Sequence, residues 1–231
     1  ASNAKQVMGQ ITLFLNSYLP RIVINNWSDY HLVLGKVQAA NGDMGVPSLN
    51  IGNNVKYVLD TEIPELTITS HKGKDLTFGK SIDVGDGSLT VNMNGGNLYT
   101  AANEGQGTAA AVWANRLVVS NAGSIGSAAN RFKAYIVEIP AIPGTAGIIN
   151  TIPARATYVA MEALDNIYAE LSHVVVRVGN EPVNADPVLT INRVAAGGTV
   201  DLLVNAPQTL KYASNAGLDE AIEVSTPGRR D

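Results

Sequence analysis

Ile22-Val23-Ile24-Asn25 matches Leu66-Thr67-Ile68-Thr69, and Leu32-Val33-Leu34-Gly35-Lys36 matches Leu76-Thr77-Phe78-Gly79-Lys80, with 44 positions between the members of each pair. A weaker echo sets Asn97-Leu98-Tyr99 against Asn166-Ile167-Tyr168 at an offset of 69. Both offsets are near-multiples of a unit of about 22 or 23 residues, within the range in which short repeats stack as solenoids. A unit that small cannot bury its own apolar face and must lie against the next one. The repeat therefore predicts an all-β solenoid of about ten coils. At the usual inter-strand spacing this is a rod on the order of 50 Å long.

Short apolar runs broken by Gly, Asn, Asp and Pro carry that reading along the chain. Expected strands include Arg21–Asn25, His31–Leu34, Val55–Leu59, Glu65–Thr69, Asp75–Phe78, Ser88–Met93, Asn97–Thr100, Arg116–Ser120 and Phe132–Val137. Ile24, Leu34, Ile68, Phe78, Val119, Ile125, Ile191 and Leu202 are expected to face the interior. Two segments are compatible with helix: residues 5–19, as a short N-terminal cap ending before Pro20, and 154–171, whose second half reads better as strand. Pro140, Pro143 and Pro153, with Gly144 and Gly147, mark an irregular excursion near 140–153. Three regions result. Residues 1–20 combine a cap with Ser2-Asn3-Ala4, which resembles the scar of an excised tag; 21–210 form the repeat domain; 211–231 form a polar tail.

Composition narrows the functional classes. Charged residues are 16% and the net charge is −4, with no basic run longer than Arg229-Arg230, so a phosphate-tracking nucleic-acid surface is not expected. Low charge suits stacked coils, since a repeated charge would face its like at about 4.8 Å. Asn, Ser and Thr ladder without that repulsion. Cysteine is absent, which removes disulfides and thiolate metal sites and suits an exported protein. Apolar runs such as Val174-Val175-Val176 are too short to span a bilayer.

The candidate chemistry is sparse. His31, His71 and His173 belong to no metal-ligand motif and read as surface side chains. Asp83 with Asp86, and Glu62 with Glu65, are neighbouring carboxylates without an adjacent Arg, His or Lys, so they read as solvated turn residues. The Val84-Gly85-Asp86-Gly87-Ser88-Leu89 turn lacks the repeats of a calcium-binding array. Asn121-Ala122-Gly123-Ser124-Ile125-Gly126 has no phosphate-loop lysine. No catalytic, cofactor-binding or metal site is assigned. Aromatics are 6% of the chain, so a sugar-stacking platform would fall to Trp27, with Tyr30 nearby, or to Trp113. The competing reading packs both tryptophans on the coil flank.

Leu117-Val118-Val119-Ser120-Asn121-Ala122-Gly123-Ser124-Ile125-Gly126-Ser127-Ala128-Ala129-Asn130, followed by Arg131-Phe132-Lys133-Ala134, resembles a repeat of large bacterial exoproteins of the filamentous haemagglutinin type. That unit runs strand, Gly-(Ser/Asp)-Ile-Gly, Ser-x-x-Asn, strand. Tyr18-Leu19-Pro20-Arg21-Ile22-Val23-Ile24-Asn25-Asn26, Asp29-Tyr30-His31-Leu32 and Asp165-Asn166-Ile167-Tyr168 also resemble pieces of those passengers. The similarity covers about half of the chain, and neither the secretion domain nor a translocator barrel of such proteins is recognisable. It implies a right-handed parallel β-helix, secreted or displayed on the bacterial surface, serving as adhesin or shaft. Gly123 and Gly126 would serve the tight turn, and Ile125 would point inward. The implied partners are a host glycan or matrix protein, or neighbouring segments of the same exoprotein. Two rivals stand beside it: a carbohydrate-active β-helix enzyme, and tandem Ig-like binding modules divided near 140–153.

Overall fold

The computed structural model describes residues 3–7, 10–14, 21–34, 49–50, 65–85, 87–103, 109–141, 154–178, 186–212 and 223–225. Their secondary structure is strand throughout, in three sheets. A five-stranded sheet holds β1 (Asn3–Val7), β2 (Gln10–Phe14), β4 (His31–Leu34), β7 (Leu76–Phe78) and β10 (Leu98–Thr100). A six-stranded sheet holds β3 (Arg21–Asn26), β6 (Glu65–Ser70), β9 (Ser88–Asn92), β12 (Arg116–Ala122), β14 (Tyr158–Ala163) and β16 (Ile191–Ala196). The seven-stranded sheet holds β5 (Leu49–Asn50), β8 (Ile82–Asp83), β11 (Val112–Ala114), β13 (Phe132–Glu138), β15 (Ile167–Val178), β17 (Val200–Tyr212) and β18 (Glu223–Ser225).

From β3 to β11 the chain visits the six-, five- and seven-stranded sheets in strict rotation. Each strand thus returns beside its predecessor in the same direction, which is why neighbours within the rotation pair in parallel. After β12 the middle station shrinks to Ile125, bridged in parallel to Leu98 and to Ile167. The arrangement is compatible with a parallel β-solenoid. Antiparallel pairing among the described residues is confined to β1 with β2, β17 with β18, and the Ile139–Arg155 bridge. Tandem Ig-like modules need facing antiparallel sheets, so that expectation is overturned.

Alternation along the strands places the core. In β6, Leu66, Ile68 and Ser70 point inward and are buried, while Glu65, Thr67 and Thr69 are not. Register stacks Leu66, Leu89, Leu117 and Val159 in one buried column, and Ile68, Val91, Val119 and Met161 in the next. Each such side chain contributes about 1.5–3 kcal/mol on burial. Of the eight residues expected inside, Leu34, Ile68, Phe78, Val119 and Ile125 are fully enclosed; Ile24, Ile191 and Leu202 pack half-buried at the ends of the stack.

One corner is held by side chains that reach along the stack. Asp75 Oδ1 accepts the Asn97 N–H at 2.8 Å, and Asn97 Oδ1 accepts the Ser124 N–H at 2.8 Å. Ser124 Oγ then accepts the Asn166 N–H at 3.4 Å, and Asn166 Oδ1 the Thr199 N–H at 2.8 Å. Each acceptor satisfies a backbone donor that the turn leaves outside the ladder. This column precedes the buried Leu76, Leu98, Ile125 and Ile167, so the Asn97-Leu98-Tyr99 and Asn166-Ile167-Tyr168 echo marks one structural station. Asn97→Ala orphans the Ser124 N–H, and we expect it to lower stability by about 1–2 kcal/mol. Asn97→Asp, which keeps the acceptor, should retain most of it; urea midpoints of the two variants decide.

Three expectations need correction. The described residues of 5–19, namely 5–7 and 10–14, are strand rather than helical cap: Ile11 and Leu13 alternate at the strand period and pair in register with Leu32 and Leu34. Residues 158–163 are strand as well, since Val159 and Met161 continue the two buried columns. The 44-residue offset is one pass, not two: Ile22 lies directly beside Leu66 and Ile24 beside Ile68. The Val55–Leu59 strand, Glu62, Asp86 and residues 142–153 of the excursion lie outside the described residues, as does most of the 211–231 tail.

Candidate functional site

The end of β3 builds the most distinctive surface feature. Asn26 is buried, and its Oδ1 accepts both the Ser28 N–H at 3.1 Å and the Ser28 hydroxyl at 2.6 Å. Its Nδ2 donates to the Tyr30 carbonyl at 3.1 Å, while the Tyr30 N–H donates to Ser28 Oγ at 3.3 Å. An asparagine that bonds its own following backbone makes a self-contained turn. That turn directs Trp27 outward, and the residue stays 64% exposed.

Beneath Trp27 lies His71, contributed by the next pass. The rings are 3.7 Å apart and inclined by only 4°. His71 is fixed in turn: its N–H donates to the Asn26 carbonyl at 2.9 Å, and Nε2 donates to Asn25 Oδ1 at 2.9 Å. Asn94, from a third pass, donates through Nδ2 to the His71 carbonyl at 2.9 Å. Beside this stack, Lys72 Nζ is 3.1 Å from each carboxylate oxygen of Asp29. Both side chains are exposed, so the pair contributes little to stability. Asp29 follows Trp27 by two residues and Lys72 follows His71 by one, so the pair belongs to the same two turns as the stacked rings.

Trp113 is placed differently. It is half-buried on the outside of the seven-stranded sheet and stacks on Tyr135, its register partner, at 4.1 Å and 16°. The ladder continues with Asp83 on one side of the pair and Ser172 on the other. Burial, and then the charge of Glu170, push the Tyr135 hydroxyl above its ordinary range. Along the same face, Lys133 lies 3.5 Å from Glu170, and Asn205 Nδ2 donates to Glu170 Oε1 and Ser172 Oγ at 3.0 Å each. Trp113 thus packs on the flank of the coil, whereas Trp27 is exposed and has His71, rather than Tyr30, as its stacking partner.

The other candidate residues disperse. His31 Nε2 lies 2.8 Å from Thr77 Oγ1. Asp83 Oδ1 accepts the Gly85 N–H at 2.7 Å, an ordinary turn contact. Glu65, expected to lack a basic neighbour, pairs with Arg21 at 2.8 Å across an exposed register pair. The offset of 44 that links Arg21 to Glu65 also links Trp27 to His71, so one signal would have found both. Among the described residues, no group of three or more His, Cys, Asp or Glu could hold a metal ion.

His173 is not a surface residue. It is buried in β15, with Nε2 2.8 Å from Glu138 Oε2 but out of line for a hydrogen bond, and Glu138 Oε2 accepts the Val188 N–H at 2.9 Å. Desolvation holds its pKa below the ordinary 6.5, against the opposing pull of Glu138. A base whose folded pKa is depressed stabilises the fold above its unfolded value and ceases to as pH falls through that value and below. The thermal midpoint is therefore expected to fall as the pH drops below about 6.5, less steeply in His173→Gln. An equally steep fall in the variant would remove His173 as the cause; His31, also depressed by burial, acts in the same direction.

No protein family, curated protein or solved structure matches the chain.

Proposed function

We propose that this chain is a non-enzymatic segment of a secreted or cell-surface bacterial exoprotein. On this reading it winds as a right-handed parallel β-helix and acts as a shaft or binding surface in attachment. The observation that carries the proposal is the parallel ladder of six strands from β3 to β16, whose inner columns are apolar and whose outer positions are mostly polar. Such a stack is stiff along its axis without disulfide or cofactor, because the paired strands of successive passes are hydrogen-bonded to one another. The resemblance to filamentous haemagglutinin-type repeats adds the surface location and the adhesive role. The partner on this reading is a host glycan or matrix protein, or another segment of the same exoprotein.

The test uses the whole chain. Immobilised on beads, it is expected to retain host cells or to bind a member of a glycan and matrix-protein panel. Incubated with a polysaccharide panel, it is expected to release no new reducing or unsaturated ends. Reproducible turnover would overturn the proposal in favour of a carbohydrate-active enzyme on the same fold.

A further inference from the structure

We infer that Trp27 is the platform of a binding site for a neutral hexopyranose, an inference that rests on the adhesive reading and gives it a location. The first ground is the exposure of the indole. A tryptophan has more apolar area to hide than any other side chain, yet this one is 64% exposed. It is not loose: the Asn26 and Ser28 bonds shape the turn, and the His71 ring supports the indole from one side. An aromatic already ordered before it meets a ligand loses little further entropy on binding.

The second ground is what the neighbouring pass leaves uncovered. β3 is the terminal strand of the six-stranded sheet, whereas the β1–β2 pair extends the five-stranded sheet instead. Within the described residues, one indole face therefore meets His71 and no further strand is stacked beyond β3. Trp113 lies inside its sheet and has neighbours in the ladder on both sides. The contrast separates a platform from a packing residue.

The charged pair on the same two turns narrows the ligand. Asp29 and Lys72 hold each other at 3.1 Å, so neither presents an uncompensated charge. A quaternary or primary ammonium would find its carboxylate already paired, and an acidic sugar would find its ammonium paired. A neutral pyranose suits both parts of the site. Its C–H face lies on the indole, and its hydroxyls donate to Asp29 and accept from Lys72 without separating them. A single stacked ring gives weak binding, in the millimolar range. Affinity then comes from multivalency on a glycan-coated surface.

The chain has two tryptophans, so its indole N–H region carries two resonances, and Trp113→Phe assigns them. Titration with methyl β-galactopyranoside is expected to move the Trp27 signal saturably and leave that of Trp113 in place. Trp27→Ala should abolish saturable binding, and Trp27→Phe, which keeps a ring against His71 and so should move the thermal midpoint little, should weaken it by about tenfold. No saturable shift, equal shifts of both indoles, or a larger response to choline or glucuronate would overturn the site. Host-cell retention by the whole chain separates this claim from the one it rests on. Retention without a Trp27 shift removes the site and leaves the adhesive role; a Trp27 shift without retention removes the role and leaves the site.

Discussion

Gly126→Ala is expected to destabilise the fold by about 3 kcal/mol or more, well beyond the effect of an alanine at most exposed turns. Two constraints meet there. Its φ is +64°, a conformation that costs a Cβ-bearing residue about 1–2 kcal/mol. The added Cβ would also collide with the Tyr168 carbonyl oxygen and lie 2.6 Å from the Phe132 nitrogen, both backbone atoms that no rotamer change can move. The surroundings are rigid, because Gly126 donates to Leu98 at 2.8 Å and Tyr168 donates to Ile125 at 2.8 Å. Gly95 supplies the control. Its φ is +95° but nothing lies within 4 Å of the site for a Cβ, so Gly95→Ala should cost only the backbone part, about 1 kcal/mol. Equal urea midpoints for the two variants would show that the passes do not approach as closely as described. Gly123 differs again. Its φ is ordinary, and a Cβ would sit 2.6 Å from the Gly95 carbonyl oxygen, so it serves close approach between passes rather than the turn.

The parallel stacking was legible in the repeat because register pairs like with like: Ile22 beside Leu66, Leu32 beside Leu76 and Leu34 beside Phe78. The length of a pass was not legible. Leu66 to Leu89 is one pass of 23 residues, whereas Leu117 to Val159 is one pass of 42. A solenoid fixes where the chain must return to the ladder, but it tolerates long insertions at the corners, since loop closure entropy grows only slowly with length. The hairpin of β1 and β2 was hidden because Val7, Ile11 and Phe14 have spacings of three and four that mimic helix, while the strand period shows only across Ile11 and Leu13. Burial of His173 was hidden because sequence shows neither Glu138 nor the Val188 segment that meets it, 50 residues apart. The candidate site was half legible: Trp27 stood out by its type, but its support by His71 needed the 44-residue offset applied to the outside of the coil.

Phe78→Ala is expected to cost about 3–5 kcal/mol, the usual penalty for emptying a well-packed aromatic site. Phe78 is fully buried and its register neighbours are Leu34 and Thr100. The alternation of large and small matters here. Thr100 is too small to continue the aromatic column, and the Phe132 ring from the adjoining sheet comes within 6.3 Å of Phe78 at a tilt of 57°. Thr100 cannot shift to fill a cavity, because its carbonyl accepts the Asn130 side chain at 2.7 Å and its Oγ1 accepts the Lys133 N–H at 3.2 Å. Phe78→Leu preserves most of the volume and should cost about 1–1.5 kcal/mol. Because stacked passes contact chiefly their neighbours, the damage should be local. Hydrogen exchange of the Gly79 and Ala101 amides, which bond to Leu34 and Phe78, should accelerate first, while that of Ile167 and Tyr168 changes least. Uniform acceleration along the chain would mean that the stack melts as one unit, and would set its cooperative length beyond nearest neighbours.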